Sequence, residues 1–161
     1  MSHIEEHVDI AAALADVFRY CHDIASRPQW DEQVAHVELL TSPPLRQGTL
    51  IRIDTGHSGG AVFSWDAECV GFQFPLSSRV RVIDTAPSSP FAAGSELSWQ
   101  FSSVSGGTRL TWVWDYRPRG ILARIADKLG GRASTQRAIR RSLAKLKAKI
   151  EGGERAGSSW S

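Results

Sequence analysis

The sequence predicts an α+β fold in which a curved antiparallel sheet of seven strands wraps around a long C-terminal helix, with two short helices between strands 1 and 2. Three observations carry this expectation. Seven runs alternate apolar and polar residues at period two, the pattern of strands with one buried and one wet face. Most connections between them are short and rich in Gly, Pro and Ser, which makes consecutive strands hairpin neighbours. The chain then closes on a segment with apolar residues at helical spacing, the element of sufficient length to cover an apolar sheet face. With 161 residues, 42% hydrophobic and 22% charged, the chain is expected to form one domain over residues 1–151, followed by a flexible tail over 152–161.

The first strand spans about residues 3 to 10. Ile4, Val8 and Ile10 share one parity with Glu6, while His3, Glu5, His7 and Asp9 share the other. "DIAAALADVFRYCHD" follows, placing Leu14, Val17, Phe18 and Cys21 on one helical face. That helix stops near Ser26. A second short helix begins in "RPQWDEQ", with Pro28 suited to its first turn and Trp30 as its apolar anchor.

Six strand-like runs come next, at about residues 34–40, 49–55, 61–72, 76–85, 95–104 and 107–116. They are separated by "TSPPLRQG", "GHSGG", a break near Pro75, "APSSPFAAG" and "SGG", all turn-forming. In the closing segment Ile121, Leu122, Ile125 and Leu129 form one apolar stripe, and Ile139, Leu143, Leu146 and Ile150 form a second. Gly130 and Gly131 lie between the stripes and predict a kink.

Parity sorts the strand residues into an inside and an outside. Inward positions include Phe63, Trp65, Ala67 and Cys69 in one strand and Val80 and Val82 in the next. They continue with Leu97, Trp99 and Phe101, then Leu110, Trp112, Trp114 and Tyr116. The inner face is therefore unusually aromatic. Such rings either fill a wide gap against the helix or line a cavity for an apolar or planar ligand, with Ile125 and Leu129 contributing from the helical side.

Charge is distributed unevenly. Residues 1–118 hold eight Arg and no Lys against fourteen acidic residues, a net of −6, whereas residues 119–150 carry +9. The C-terminal helix is thus a basic element drawn to an acidic body, or a surface for an anionic partner. Peripheral contact with an anionic membrane through Arg132, Arg137, Arg140, Arg141, Lys145, Lys147 and Lys149 is the most expected of it, and no specific nucleic acid. Cys21 and Cys69 are the two cysteines, and without C-x-x-C spacing they read as buried reduced thiols. No apolar run approaches the roughly 20 residues of a membrane span, and "MSHIEEHVDI" lacks the features of a secretory signal. A cytoplasmic location is expected, as a monomer or homodimer.

The order of elements, together with "ALADVFRYCHDIASRPQWDEQV", "VELL", "GGTRLTWVWDYRP" and "AIRRSLAKLKAKIE", resembles the START-like superfamily. More narrowly it resembles the SRPBCC, or polyketide cyclase/dehydrase-type, group with its helix-grip fold, over about residues 3–151. The resemblance implies a deep cavity between sheet and helix, which favours a lining role for the aromatic face. It implies binding or transport of a hydrophobic small molecule, lipid-like or aromatic and polyketide-like, without a cofactor. The alternative is a polyketide cyclase, dehydratase or aromatase acting in the same cavity.

Cyclases of this kind hold an arginine and hydroxyl groups inside the cavity, but "FSWDAEC" puts Ala67 and Cys69 where a serine and an arginine tend to lie. Arg52, Arg79, Arg81 and Arg109 all have outward parity, so the cavity is expected to lack its cation. His3 and His7 share a strand face but stand roughly 13 Å apart, too far for one metal. No zinc-protease, phosphate-loop or nucleophile-elbow motif occurs, and His57 with Ser58 lies in a glycine-rich turn. Three candidates for proton chemistry remain. Glu6 and Asp84 have inward parity, where strand ends or bulges could carry them to water instead, and Tyr116 ends the aromatic strand.

Overall fold

The computed structural model describes residues 1–56 and 61–157. The chain runs β1 (Ser2–Ile10), α1 (Leu14–His22), α2 (Arg27–Trp30), β2 (His36–Leu39), β3 (Leu50–Asp54), β4 (Ser64–Gln73), β5 (Ser77–Thr85), β6 (Glu96–Val104) and β7 (Gly107–Tyr116). It finishes with α3 (Gly120–Ala126), a π-helical turn (Asp127–Gly131) and α4 (Arg132–Glu151). His57, Ser58 and Trp160 lie outside the described residues.

All seven strands join one antiparallel sheet in the order β1-β7-β6-β5-β4-β3-β2. Five of the six pairings are between chain neighbours, and β1 closes the other edge against β7, with Ser2 opposite Tyr116 and Ile10 opposite Thr108. Parity is realised as expected along β6 and β7, where Leu97, Trp99, Phe101, Leu110, Trp112, Trp114 and Tyr116 are buried. The outward arginines meet carboxylates across strands, Arg52 with Asp66, Arg81 with Glu96 and Arg109 with Asp9, each at 2.8 Å. Such exposed pairs are screened by solvent and add little to stability.

Two register shifts break the β4–β5 ladder, between Asp66 and Ala67 and between Cys69 and Gly71. Bulges of this kind bend a strand and increase its twist, which curls the sheet about the helical side. Gly107 opens β7 where the backbone of Ile10 and Ala11 passes so closely that no Cβ fits.

On the helical side α1 buries Val17, Phe18 and Cys21 together with Tyr20 and His22. Pro28 occupies the first turn of α2, and Trp30 is completely buried. Ile139, Leu143, Leu146 and Ile150 of α4 are buried, which makes α4 the gripped helix.

The first apolar stripe behaves differently from the expectation. Ile121, Leu122, Ile125 and Leu129 are exposed to solvent, because the chain bends at Gly130, whose φ of 134° breaks the helix. Helical spacing identifies an apolar face correctly, but the kink points that face away from the sheet. Past α4, the Gly157 N–H donates to Asp23 Oδ2 at 2.9 Å.

Candidate functional site

Between the sheet and the α3–α4 corner lies a cavity of about 490 Å³, within the roughly 300–1,000 Å³ usual for small-molecule sites. β4 and β7 supply its aromatic wall through Trp65, Trp112, Trp114 and Tyr116, extended by Phe63 and by Phe91 from the β5–β6 loop. The opposite wall leaves room because its residues are small: Ala123, Ala126, Ser134, Thr135 and Ala138.

The rings divide into two groups. Trp65, Phe91, Trp114 and Tyr116 form a continuous panel, with Phe91 edge-on to Trp114 at 5.1 Å and Trp114 stacked on Tyr116 at 5.6 Å between centroids. Trp30, Trp99 and Trp112 instead pack on one another at 5.5 to 6.2 Å and fill the interior. The first group borders open space, the second fills the gap between sheet and helices, and Trp112 touches both.

Arg27 stands where these groups meet. Its side chain is about one-tenth exposed, its Nε donates to Asp31 Oδ2 at 2.9 Å, and its guanidinium lies 4.6 Å from the Trp99 ring centroid. Arg27 lines the cavity, so the cavity does contain a cation, contrary to the sequence expectation. That cation comes from α2, and a second, Arg141, comes from α4; neither comes from a strand. An arginine held by one carboxylate and the rings of Trp99 and Trp30 keeps N–H donors for a carbonyl or anionic group.

At the other end Tyr116 and Asp127 line the cavity together. The Tyr116 hydroxyl donates to Asp127 Oδ1, and the Ser2 hydroxyl donates to Asp127 Oδ2 at 2.7 Å. Burial and the accepting carboxylate both push the phenol pKa up. Tyr116 is thus a protonated donor at neutral pH, and its proton is committed to Asp127.

A second, much smaller space of about 50 Å³ sits among α1, β4, β5 and β6, lined by Cys21, His22, Cys69, Ser78, Val80 and Trp99 among others, and it shares Arg27 and Leu97 with the large cavity. Its volume suits at most a few waters. Burial raises the thiol pKa of Cys21, and that of Cys69 to about 11, so neither is a nucleophile at neutral pH. His22 is fixed between the Phe18 carbonyl and Ser78 Oγ, both at 2.7 Å, and burial lowers its pKa to about 4.

The sequence candidates therefore separate. Phe63, Trp65, Trp112, Trp114 and Tyr116 meet around the large cavity, while Cys69, Val80 and Trp99 meet around the small one. Val82 and Phe101 are core residues that line neither. Ile125 and Leu129 face solvent and do not line the cavity, a consequence of the bend at Gly130.

Asp84 is exposed, because the register shift leaves Ile83 unpaired and turns Asp84 outward. Glu6 does point inward, but it accepts hydrogen bonds from Gln136 Nε2 at 2.5 Å and Arg140 Nε at 2.9 Å and lines neither space. Burial would raise its pKa, and the bonds from Arg140 and Gln136 outweigh that and lower it. It fastens α4 to β1 and is not poised as a base. Residues that parity does not reach are Arg27, Asp31, Phe91 and Asp127; the i, i+4 spacing of Arg27 and Asp31 is the one readable signal among them.

Four of the seven cations of α4 are paired with carboxylates. Arg140 pairs with Glu6, Arg141 and Lys145 with Glu32, and Lys147 with Glu151, at 2.7 to 3.0 Å. Among the described residues no three His, Cys, Asp or Glu side chains are grouped to hold a metal, and no helix is long and apolar enough to cross a membrane.

Residues 1–151 match the family model for polyketide cyclase/dehydrase and lipid transport proteins. No curated protein matches the sequence significantly. Among solved structures, TTHA0849 from Thermus thermophilus superposes with a TM-score of 0.77 at 17% identity, covering 95% of this chain and 99% of that one. The di-domain ARO/CYC StfQ from the steffimycin biosynthetic pathway gives 0.70 at 16% identity, covering 94% of this chain and 52% of that one. Ginseng major latex-like protein 151 from Panax ginseng gives 0.67 at 14% identity, covering 94% and 95%. At these identities the likeness is one of fold, the helix-grip arrangement of the SRPBCC superfamily.

Proposed function

Because the chain belongs to the polyketide cyclase/dehydrase and lipid transport family, we propose that it binds and carries a hydrophobic small molecule, lipid-like or aromatic and polyketide-like, in the large cavity. The observation that supports this most is the space itself. About 490 Å³ is left open behind a panel of Trp65, Phe91, Trp114 and Tyr116, where collapse of the rings would have closed it. Arg27 and Tyr116 give the apolar chamber a few polar positions near its walls, enough to orient a ligand that has one or two oxygens. A reducing, cytoplasmic site of action fits the two unpaired cysteines.

The test is titration with 1-anilinonaphthalene-8-sulfonate, an aromatic anion, followed by tryptophan quenching and probe emission. Saturable binding is expected, weakened at least about tenfold by Ala138→Trp, which fills the chamber from α4. Equal binding by the wild-type and filled proteins would overturn the proposal.

A second reading, enzymatic, is favoured by Arg27 and by the Tyr116–Asp127 pair. A ketone oxygen seated against the guanidinium makes the adjacent methylene more acidic, and the Tyr116–Asp127 pair offers a group through which a proton can move. Accelerated deuterium exchange at the methylene of a bound 1,3-diketone, lost in Arg27→Gln and Tyr116→Phe, would select this reading over simple carriage.

A further inference from the structure

The stripe that the kink turns outward has a composition of its own. Leu122 and Leu129 are 83% and 82% exposed, Ile121 74% and Ile125 49%. At 100° per residue these four positions fall within an arc of about 100°. Arg124 and Lys128 flank the arc, Arg132 follows just past the kink, and none of the three enters an ion pair among the described residues. Residues 117–132 carry a net charge of +4. The opposite side of the same short helical segment presents Ala123, Ala126 and Asp127 to the cavity.

The geometry points to this face as a docking surface for an anionic lipid bilayer. An exposed apolar arc bordered by unpaired cations is the pattern of a helix that lies in the headgroup region, its leucines among acyl chains and its cations on phosphate and carboxylate groups. A second copy of the chain fits less well, since self-association would bring two patches of +4 together. Nucleic acid would leave the apolar arc unused. Arg140, Arg141, Lys145 and Lys147 of α4 are committed to Glu6, Glu32 and Glu151, so the contact centres on α3, the π-helical turn and Arg132 at the start of α4 and not on the rest of the long helix.

This inference deepens the carrier reading, because the segment that touches the bilayer on one side is the wall of the cavity on the other. A lipid-soluble ligand would pass between membrane and chamber along α3.

The experiment is flotation with vesicles of mixed phosphatidylcholine and phosphatidylserine, and with vesicles of phosphatidylcholine alone, without added ligand. The wild-type protein is expected to float with the mixed vesicles only, and less at high salt. Arg124→Ser with Lys128→Ser should weaken binding roughly 25-fold, and Leu122→Asp with Leu129→Asp more than about tenfold. Arg79→Ser with Arg81→Ser, on the outer sheet face, should leave it unchanged. The substituted side chains are exposed, and a thermal melt confirms that each variant is folded.

Equal flotation of the patch variants and the wild type, or no flotation of the wild type, would overturn the inference. So would patch substitutions whose one effect is to abolish a concentration-dependent dimer in sedimentation. Titration with the sulfonate probe, without vesicles, separates the two claims: it reads the cavity and should be indifferent to the patch.

Discussion

Lowering the pH from about 7 to about 5 should destabilise the protein through one side chain, His22. Its imidazole is 95% buried against the rings of Phe18, Phe72, Trp99 and Phe101. Nδ1–H donates to the Phe18 carbonyl, so Nε2 accepts from the Ser78 hydroxyl in the neutral tautomer. Burial is the main cause that lowers the pKa from 6.5 to about 4, and the positive charge of Arg27 adds to it. Between these values the unfolded chain binds a proton that the folded chain refuses. Stability is therefore complete above pH 6.5 and falls as the pH drops towards 4.

The full effect is about 3 kcal/mol, and about 2 kcal/mol of it is lost by pH 5. Urea unfolding at several pH values reads this as a falling midpoint with an unchanged slope. As the pH falls through the normal carboxylate value of 4.5 a second loss sets in, because Glu6 and Glu32 owe their lowered pKa to partners on α4; the measurement stops short of it. His22→Gln should flatten the dependence. A wild-type protein equally stable across the range, or a variant with the same slope, would refute the reasoning.

Three further outcomes are expected. Gly107→Ala forces a Cβ onto the Ile10 carbonyl, so β1 or β7 must shift, and a thermal melt should show a loss of at least about 3 kcal/mol. Asp31→Ala leaves the Arg27 guanidinium buried without its carboxylate and should cost about 3–5 kcal/mol in urea, whereas the double change Arg27→Met with Asp31→Leu should cost less. Cys21 and Cys69, both buried and both with raised thiol pKa, should resist a disulfide-exchange reagent in the native protein and react promptly in denaturant.

The strands are legible because each has one wet face, and period-two alternation survives at nearly every position of β6 and β7. Seven strands, their hairpin order and two short helices follow from that alternation and from the turn residues between runs. Asp84 shows where parity fails: one extra residue in β5 reverses every face beyond it, and no local pattern announces a bulge. Arg27 escapes a parity reading because it sits on a short helix and not on a strand, although Arg27 and Asp31 are a visible i, i+4 pair. Ile125 and Leu129 show a different limit, for amphipathic spacing says which face of a helix is apolar and not what covers it.

The pairing of β1 with β7 also dictates when this chain can finish folding. Residues 2–10 find their partners only at residues 108–116, so β1 waits for the last of the seven strands. The intervening loop closes at an entropic cost that rises with its length, and contacts so distant in sequence slow folding. On a ribosome the β2–β6 meander can form while β1 is still an unpaired strand. Completion comes as one late event, when β7 emerges and α4 seats over Glu6. Until then the N-terminal strand is the segment of the nascent chain most in need of a chaperone.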